Sequence, residues 1–237
     1  MPDEDRPAGS RDPTAGVSAF YAGGLSVASH DLSVGTELSP LRGDVEFYLS
    51  CAGRYGGPVL ELGVGTGRIA WPLAAAGHEV VGPNLSAAML AIAHGKAAAH
   101  PAPVRDRLVL RQGDMAEFDL ARRFRLALVP ARAFHHLLTP QAQRTALGCI
   151  RRHLEPGGHL VIDLFDPKLE YCLPGGPVPP LREVRDPASG HLIRRRTTAR
   201  KLDPLRQLIT ETVRFEVIDP AGIRVAAEEA SWGLRWI

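Results

Sequence analysis

The chain has 237 residues, 45% of them hydrophobic and 23% charged, with a formal net charge of +2. That length suits one domain with a sizeable core, or one domain plus a small subdomain, in a protein of ordinary globular composition. So small a net charge gives no general attraction to nucleic acid or an anionic membrane, and no run approaches the ~18 apolar residues of a membrane span.

The opening stretch MPDEDRPAGSRDPTAG, rich in charge, Pro and Gly, reads as a disordered tail over 1–16 and not as a signal peptide. GDVEFYLSCAGRY then predicts an amphipathic helix at 44–55, with Val45, Tyr48, Leu49 and Ala52 on one side and Gly56-Gly57 closing it. PVLELGVGTG is an apolar strand running into a glycine turn. RIAWPLAAAG follows as a helix to Gly77, with Pro72 inside it implying a tight or bent first turn. HEVVGPN reads as a second strand, and Ser86 as the N-cap of a helix that puts Met89, Leu90, Ala93 and Ala97 on one face.

LVLRQGD (108–114) and FRLALVP (124–130) predict strands three and four. Thr139-Pro140 opens a helix through His153, Glu155-Pro156-Gly157-Gly158 stops it, and HLVIDLF (159–165) makes a fifth strand. Strands alternating with helices imply a parallel sheet with right-handed crossovers. The expected fold class is therefore α/β: a Rossmann-like, mostly parallel sheet flanked by helices over 17–167. Beyond Asp166-Pro167 the pattern alternates, with Ile209, Val213, Phe215 and Val217 on one face, a turn at 219–222, then Trp232, Leu234 and Trp236 in line. Residues 168–237 read as an antiparallel β lid or substrate subdomain laid over one end of the sheet. Cys51, Cys149 and Cys172 are odd in number, widely spaced and without a CxxC, which fits a reducing cytoplasm and no metal site.

The chemistry concentrates at Glu61-Leu62-Gly63-Val64-Gly65-Thr66-Gly67. Glycines are needed where backbone turns sharply and approaches a ligand, and the helix that follows presents unpaired N–H groups. The spacing is GxGxG, not the GxGxxG of a dinucleotide site, so a nicotinamide oxidoreductase is disfavoured. At the end of strand three, Gly113-Asp114-Met115 sets a carboxylate beside an apolar side chain, a pair suited to an adenine amine and ring.

The run VLELGVGTGRIAWPLAAAGHEVVGPNLSAAMLAIA, then GDM, LVPARAFHHL and LEPGGHLVIDLFDP, closely resembles class I S-adenosylmethionine-dependent methyltransferases, in particular bacterial small-molecule enzymes such as those that N-methylate amino sugars. The resemblance covers roughly residues 20–167 and implies S-adenosylmethionine as cofactor and a small molecule as methyl acceptor. It places Glu61, Gly63, Val64, Gly65, Gly67 and Arg68 around the methionine part, and position 84 on the ribose. Leu85 and Met89 would flank the adenine, Asp114 and Met115 would read it, and Pro130 would be a further contact. Tyr21 resembles a tyrosine that closes over the cofactor. His136, with His135 as the lesser partner, corresponds to a base or acceptor-orienting histidine, and Arg132, Phe134 and Asp166 would meet the substrate.

Two departures qualify this. Position 84 is Asn, not the usual acid. It keeps an acceptor but loses a charge, for which the expected loss is on the order of 1 kcal/mol. The resemblance also implies a further helix and strand pair after the inserted strands. The sequence stops at Ile237 before them, so strand five is expected as an edge that the tail strands or a second copy would cover. These departures support an alternative, a relative that has ceased to methylate and serves as a cofactor-binding scaffold, a regulator or an enzyme of different chemistry. The basic run from Arg182 to Arg206 is divided between two strand faces with little aromatic interleaving, and VPAR is not the (N/D)PP(Y/F/W) motif of base-amine methyltransferases; nucleic acid is disfavoured.

Overall fold

Five short apolar runs become parallel strands: β1 (Val59–Glu61), β2 (Val80–Asn84), β3 (Leu108–Gln112), β4 (Phe124–Val129) and β5 (Leu154–Ile162), side by side in the order β3-β2-β1-β4-β5. The computed structural model describes residues 19–34, 41, 43–165, 167–173 and 175–237, and the expectations for residues 1–16 and Asp166 lie outside these. Alternation along each strand sends side chains to both faces. Val59, Leu126 and Leu128 join Tyr48, Leu73 and Val80 in one core cluster. Leu60, Ala127 and Val129 join Leu62, Phe134 and Ile150 in the other. Burial on both faces is why β1, β2 and β4 read as near-continuous apolar runs.

The helices follow their sequence signals. After three short turns, α1 (Ala19–Ala22), α2 (Gly24–Ala28) and α3 (His30–Ser33), comes α4 (Asp44–Tyr55), as expected. α5 is shorter than the sequence suggested, Ala70–Ala75, which leaves Pro72 in the first turn where its missing N–H has no intrahelical partner to lose. In α6 (Ala87–Gly95) the Ser86 hydroxyl accepts the Met89 N–H at 3.1 Å. A turn not foreseen in the sequence, α7 (Ala102–Arg105), precedes β3. α8 (Pro140–His153) carries Pro140 at its start and Thr139 as N-cap, accepting from Ala142 N–H at 3.1 Å.

Strand five differs from its expected range of 159–165. Leu154 already pairs with Phe124, and pairing resumes at His159 with Leu126, so Glu155–Gly158 is a bulge inside β5 and not a turn ahead of it. A Cβ on Gly158 would lie 3.0–3.3 Å from the carbonyls of Glu155, Phe124 and Arg125, so only glycine lets the bulge close against β4. The strand ends at Ile162 and forms an outer strand of the sheet, as expected for its edge position.

The remaining chain makes an antiparallel meander, β6 (Arg182–Arg185), β7 (Leu192–Asp203), β8 (Leu208–Ile218) and β9 (Arg224–Arg235). Ile209, Val213, Phe215, Ala230 and Leu234 are its buried apolar side chains. Phe20 of α1 packs with Val213, Phe215 and Ala230, while β9 contacts the short turn Ala133–His136 that follows β4. The meander therefore lies over the C-terminal end of the parallel sheet, with the turns α1 and α2 against β9. No helix among the described residues is long and apolar enough to cross a membrane.

Candidate active site

The strand order reverses between β1 and β4, and the crevice outside their C-terminal ends is where open α/β sheets bind ligands. The glycine turn leaves β1 at this point. Gly63, Gly65 and Gly67 have φ of 72°, 57° and 77°, in the left-handed region that favours glycine. Space is limiting as well: a Cβ on Gly63 would stand 2.8 Å from that of Ala133, and one on Gly67 2.8 Å from the Trp71 ring. Pro83 sits beyond the β1–β2 pairing, and its carbonyl accepts the N–H groups of both Gly63 (3.0 Å) and Val64 (3.3 Å). Val64 presses on Gly82, where a Cβ would come within 2.8 Å of it, so the glycine of VVGPN exists to seat the turn.

Glu61 ends β1 with 2% exposure, and its Oε2 has no hydrogen-bond partner among the described residues. Burial raises its pKa to about 8, against the pull of Arg68. Arg68 is itself held by Asp44 through two hydrogen bonds of 2.8 and 2.5 Å, so its charge is spent on another carboxylate. A buried carboxylate with an unpartnered oxygen beside a glycine turn has the chemistry to receive a ligand ammonium.

Between about pH 4.5 and 8 the folded chain holds a proton on Glu61 that the unfolded chain has released, so this group's contribution falls as pH rises through that window. His135 and His136, whose pKa values burial lowers, act oppositely, with stability lost as pH falls below 6.5. Ligand-free wild type is expected to lose stability relative to Glu61→Gln as pH is raised from 5 to 8, by about 1 kcal/mol or more, measured as the difference between paired urea melts. A difference that stays constant with pH would show that Glu61 is ionised throughout.

Asn84 closes the other side of the turn. Its Oδ1 accepts from Gly65 N–H at 3.4 Å and its Nδ2 donates to Ser86 O at 3.3 Å. Aspartate would keep the first bond and set a carboxylate oxygen against the Ser86 carbonyl in place of the second. Asn84→Asp is expected to tighten S-adenosylmethionine binding up to about tenfold while lowering the melting temperature of the ligand-free protein. Unchanged or weaker binding by calorimetry would show that residue 84 does not hold the ribose.

The remaining cofactor candidates flank this wall. Leu85 is half-buried and Met89 is buried. Asp114 accepts Ala116 N–H at 2.8 Å within a tight turn, and the Met115 methyl lies 3.5 Å from the Cβ position of Gly63. Pro130 is buried at the end of β4, followed by Ala131 and Arg132 with φ of 52° and 61°. Two consecutive non-glycine residues in this region mark a strained loop, a feature that collects at functional sites.

That loop delivers both histidines. His136 Nδ1 lies 3.0 Å from Gly233 O, which fixes the proton on Nδ1, and Nε2 then accepts from the Tyr21 hydroxyl at 3.1 Å. Burial lowers the pKa of His136 and pushes Tyr21 up to about 12, so both are neutral at pH 7. His135 is a strut: Nδ1 donates to Arg235 O at 2.6 Å and Nε2 accepts Phe165 N–H at 2.7 Å, leaving neither nitrogen for a substrate. Phe134 is 2% exposed inside the core and offers no surface to an acceptor. Arg132 lies over the Phe165 ring, 4.6 Å from its centroid.

A clasp invisible in the sequence ties the N-terminal turns across the site. Tyr21 O accepts from Ser86 Oγ at 2.5 Å, Leu25 N–H donates to Glu228 at 2.7 Å, and Asp31 takes the Thr66 hydroxyl at 2.5 Å and Lys96 at 2.6 Å. Burial opposes the Asp31 charge, yet hydrogen bonds from His30, Lys96 and Thr66 hold its pKa well below the ordinary carboxylate range. These partners lie far apart along the chain, and no local pattern announces them. A separate cavity of about 390 Å³, bounded by Glu79, Val80, Asp106, Arg107 and Arg122, is at the opposite, N-terminal end of the strands and has no part in this site.

Comparison with known proteins bears out the class I methyltransferase resemblance. A family profile described as a methyltransferase domain matches residues 59–158. The CcbJ methyltransferase of Streptomyces caelestis is 27% identical, with a TM-score of 0.72 over 93% of this chain and 82% of that one. CalS10, described as an amino pentose methyltransferase from Micromonospora echinaspora and solved with S-adenosylmethionine, is 26% identical, with a TM-score of 0.59 over 82% and 75%. KedS8, described as a sugar N-methyltransferase from Streptoalloteichus, shares the fold at 21% identity and a TM-score of 0.63 over 82% and 73%. No curated protein sequence matches the chain.

Proposed function

We propose that this chain, whose residues 59–158 carry a methyltransferase domain within a class I S-adenosylmethionine-dependent fold, methylates N or O of a small-molecule acceptor. The observation that carries this reading is Glu61, a buried carboxylate whose Oε2 has no hydrogen-bond partner among the described residues, at the foot of the glycine turn, with the Tyr21–His136 pair on the neighbouring loop. Glu61 would take the ammonium of the cofactor's methionine part, the glycine turn its backbone, Asn84 its ribose, and Leu85, Met89, Asp114 and Met115 its adenine. The bound cofactor supplies an electrophilic methyl on a sulfonium, and in-line transfer needs chiefly a positioned nucleophile. The protein's part is positioning and, for a hydroxyl acceptor, proton removal at His136 Nε2. The amino-sugar enzymes among the similar structures make sugars and amines the first acceptors to test.

The chain divides in this reading into a cofactor-binding unit over 17–167 and a lid or substrate unit over 168–237. A second copy against the β5 edge would complete the sheet. A second reading, a cofactor-binding relative that does not transfer methyl groups, is favoured by Asn84 in place of an acid. Titrating the purified protein with S-adenosylmethionine and with NAD separates the readings: heat with the first only, followed by turnover in a screen of amino sugars, amines and phenols, is the expected result. No heat with S-adenosylmethionine would sink the assignment. Binding without any turnover would favour the second reading.

A further inference from the structure

Between α1–α3 and the meander lies a cavity of about 100 Å³, bounded by Phe20, Tyr21, His30, Arg195, Phe215 and Trp232 among others. Its polar groups are unevenly satisfied. The hydroxyls of Ser26, Ser29 and Ser33 spend their protons on backbone carbonyls, and Tyr21 gives its own to His136. Arg195 differs from its neighbours. Arg194 pairs with Glu183, Arg200 with Glu211 and Arg214 with Glu216, whereas the Arg195 guanidinium meets only the rings of Phe20 and Phe215, at 5.3 and 5.9 Å, among the described residues. Glu211, the carboxylate that acts on it electrostatically, is already engaged by Arg200. Trp232 adds a second donor in deficit: its Nε1–H is buried without an acceptor among the described residues.

A cation and an indole N–H, both lacking acceptors, beside one small cavity define its complement as an oxygen anion. Arginine's planar fork suits a carboxylate in two-point contact, and the volume admits one such head group and little more. The cavity shares Tyr21 with the His136 pair, so a molecule anchored at Arg195 would have its body at the catalytic end. We infer that the methyl acceptor is an organic acid whose carboxylate is held by Arg195, with Trp232 as the second donor. This rests on the methyltransferase reading given above, and deepens it by naming a substrate class.

The test compares benzoate with its neutral isostere benzamide, binding to the full chain by ligand-observed NMR at fixed ionic strength. Benzoate is expected to bind at least about tenfold tighter, the difference between a charge-assisted and a neutral hydrogen bond. In Arg195→Gln the ratio is expected to fall to about one, and Arg195→Lys to recover part of it. Equal binding by wild type, no benzoate binding, or a preference that survives in Arg195→Gln would overturn the inference. Calorimetry with S-adenosylmethionine on each variant checks that the cofactor site is intact. Failure of that titration in wild type would remove the methyltransferase reading and leave the benzoate ratio to decide on Arg195. Should Arg195→Gln not fold, the wild-type ratio together with Trp232→Phe, expected to weaken benzoate more than benzamide, carries the same decision.

Discussion

Glu61→Gln is expected to weaken S-adenosylmethionine binding by about two orders of magnitude, the largest effect of any single change in the cofactor site. A charge-assisted hydrogen bond is worth roughly 1.5–3 kcal/mol, between about ten- and a hundredfold, and burial puts Glu61 at the upper end. Glutamine keeps the shape and removes the charge, so the loss is not one of packing. With the carboxylate's pKa raised to about 8, the ligand-free protein carries a proton there at neutral pH, and an incoming ammonium displaces it. Binding should therefore release close to one proton at pH 7 in wild type and none in Glu61→Gln, read from calorimetry in buffers of different ionisation enthalpy. Methylthioadenosine, which lacks the amino acid part, should bind both proteins alike. An equal loss for methylthioadenosine would assign Glu61 to the architecture of the turn and not to the ammonium.

Most of the framework of this protein was legible in its sequence because it is local. The strands β1, β2 and β4 are short apolar runs, and two of the main helices, α6 and α8, begin at residues whose side chains cap them, Ser86 and Thr139. The bulge at Glu155–Gly158 was not legible: Pro-Gly-Gly reads as a turn, and only the approach of Phe124 O and Arg125 O shows that it stays in the sheet. The contact between the glycine turn and residue 84 could be expected because both lie within one strand–helix–strand unit. The contacts that tie this unit to the rest could not. Asp31 to Thr66, Tyr21 to His136 and His136 to Gly233 span 35, 115 and 97 residues, and side-chain pairs at such separations leave no periodic trace. The same reason explains His135 and His136. Adjacent in sequence and alike in type, they differ because one ring is fixed at both ends by backbone and the other faces a tyrosine.

In the proposed reaction that tyrosine would decide how His136 takes part. With Nδ1–H on Gly233 O, the basic nitrogen is Nε2, and it is capped by the Tyr21 hydroxyl. An acceptor either displaces Tyr21 from Nε2 or passes its proton to the phenol oxygen as the phenol gives its own to His136. His136→Ala is expected to lower kcat for a hydroxyl acceptor by 100-fold or more, the usual scale of lost general-base catalysis, with S-adenosylmethionine affinity unchanged. An amine acceptor, which sheds its proton after transfer, should lose far less. Tyr21→Phe separates the two routes. A relay through the phenol makes its loss equal to that of His136→Ala and makes the double variant no worse than either single one, since the pair acts as a unit. Direct attack leaves Tyr21→Phe within about tenfold of wild type, because the change uncovers Nε2. The pH profile adds a check independent of magnitude. Burial lowers the His136 pKa, so the rate with a hydroxyl acceptor should fall only as pH drops below the ordinary histidine value of 6.5, and His136→Ala should lack that acidic limb. A hydroxyl-acceptor rate within threefold of wild type in His136→Ala would show that this histidine braces β9 and the N-terminal turns without taking a proton.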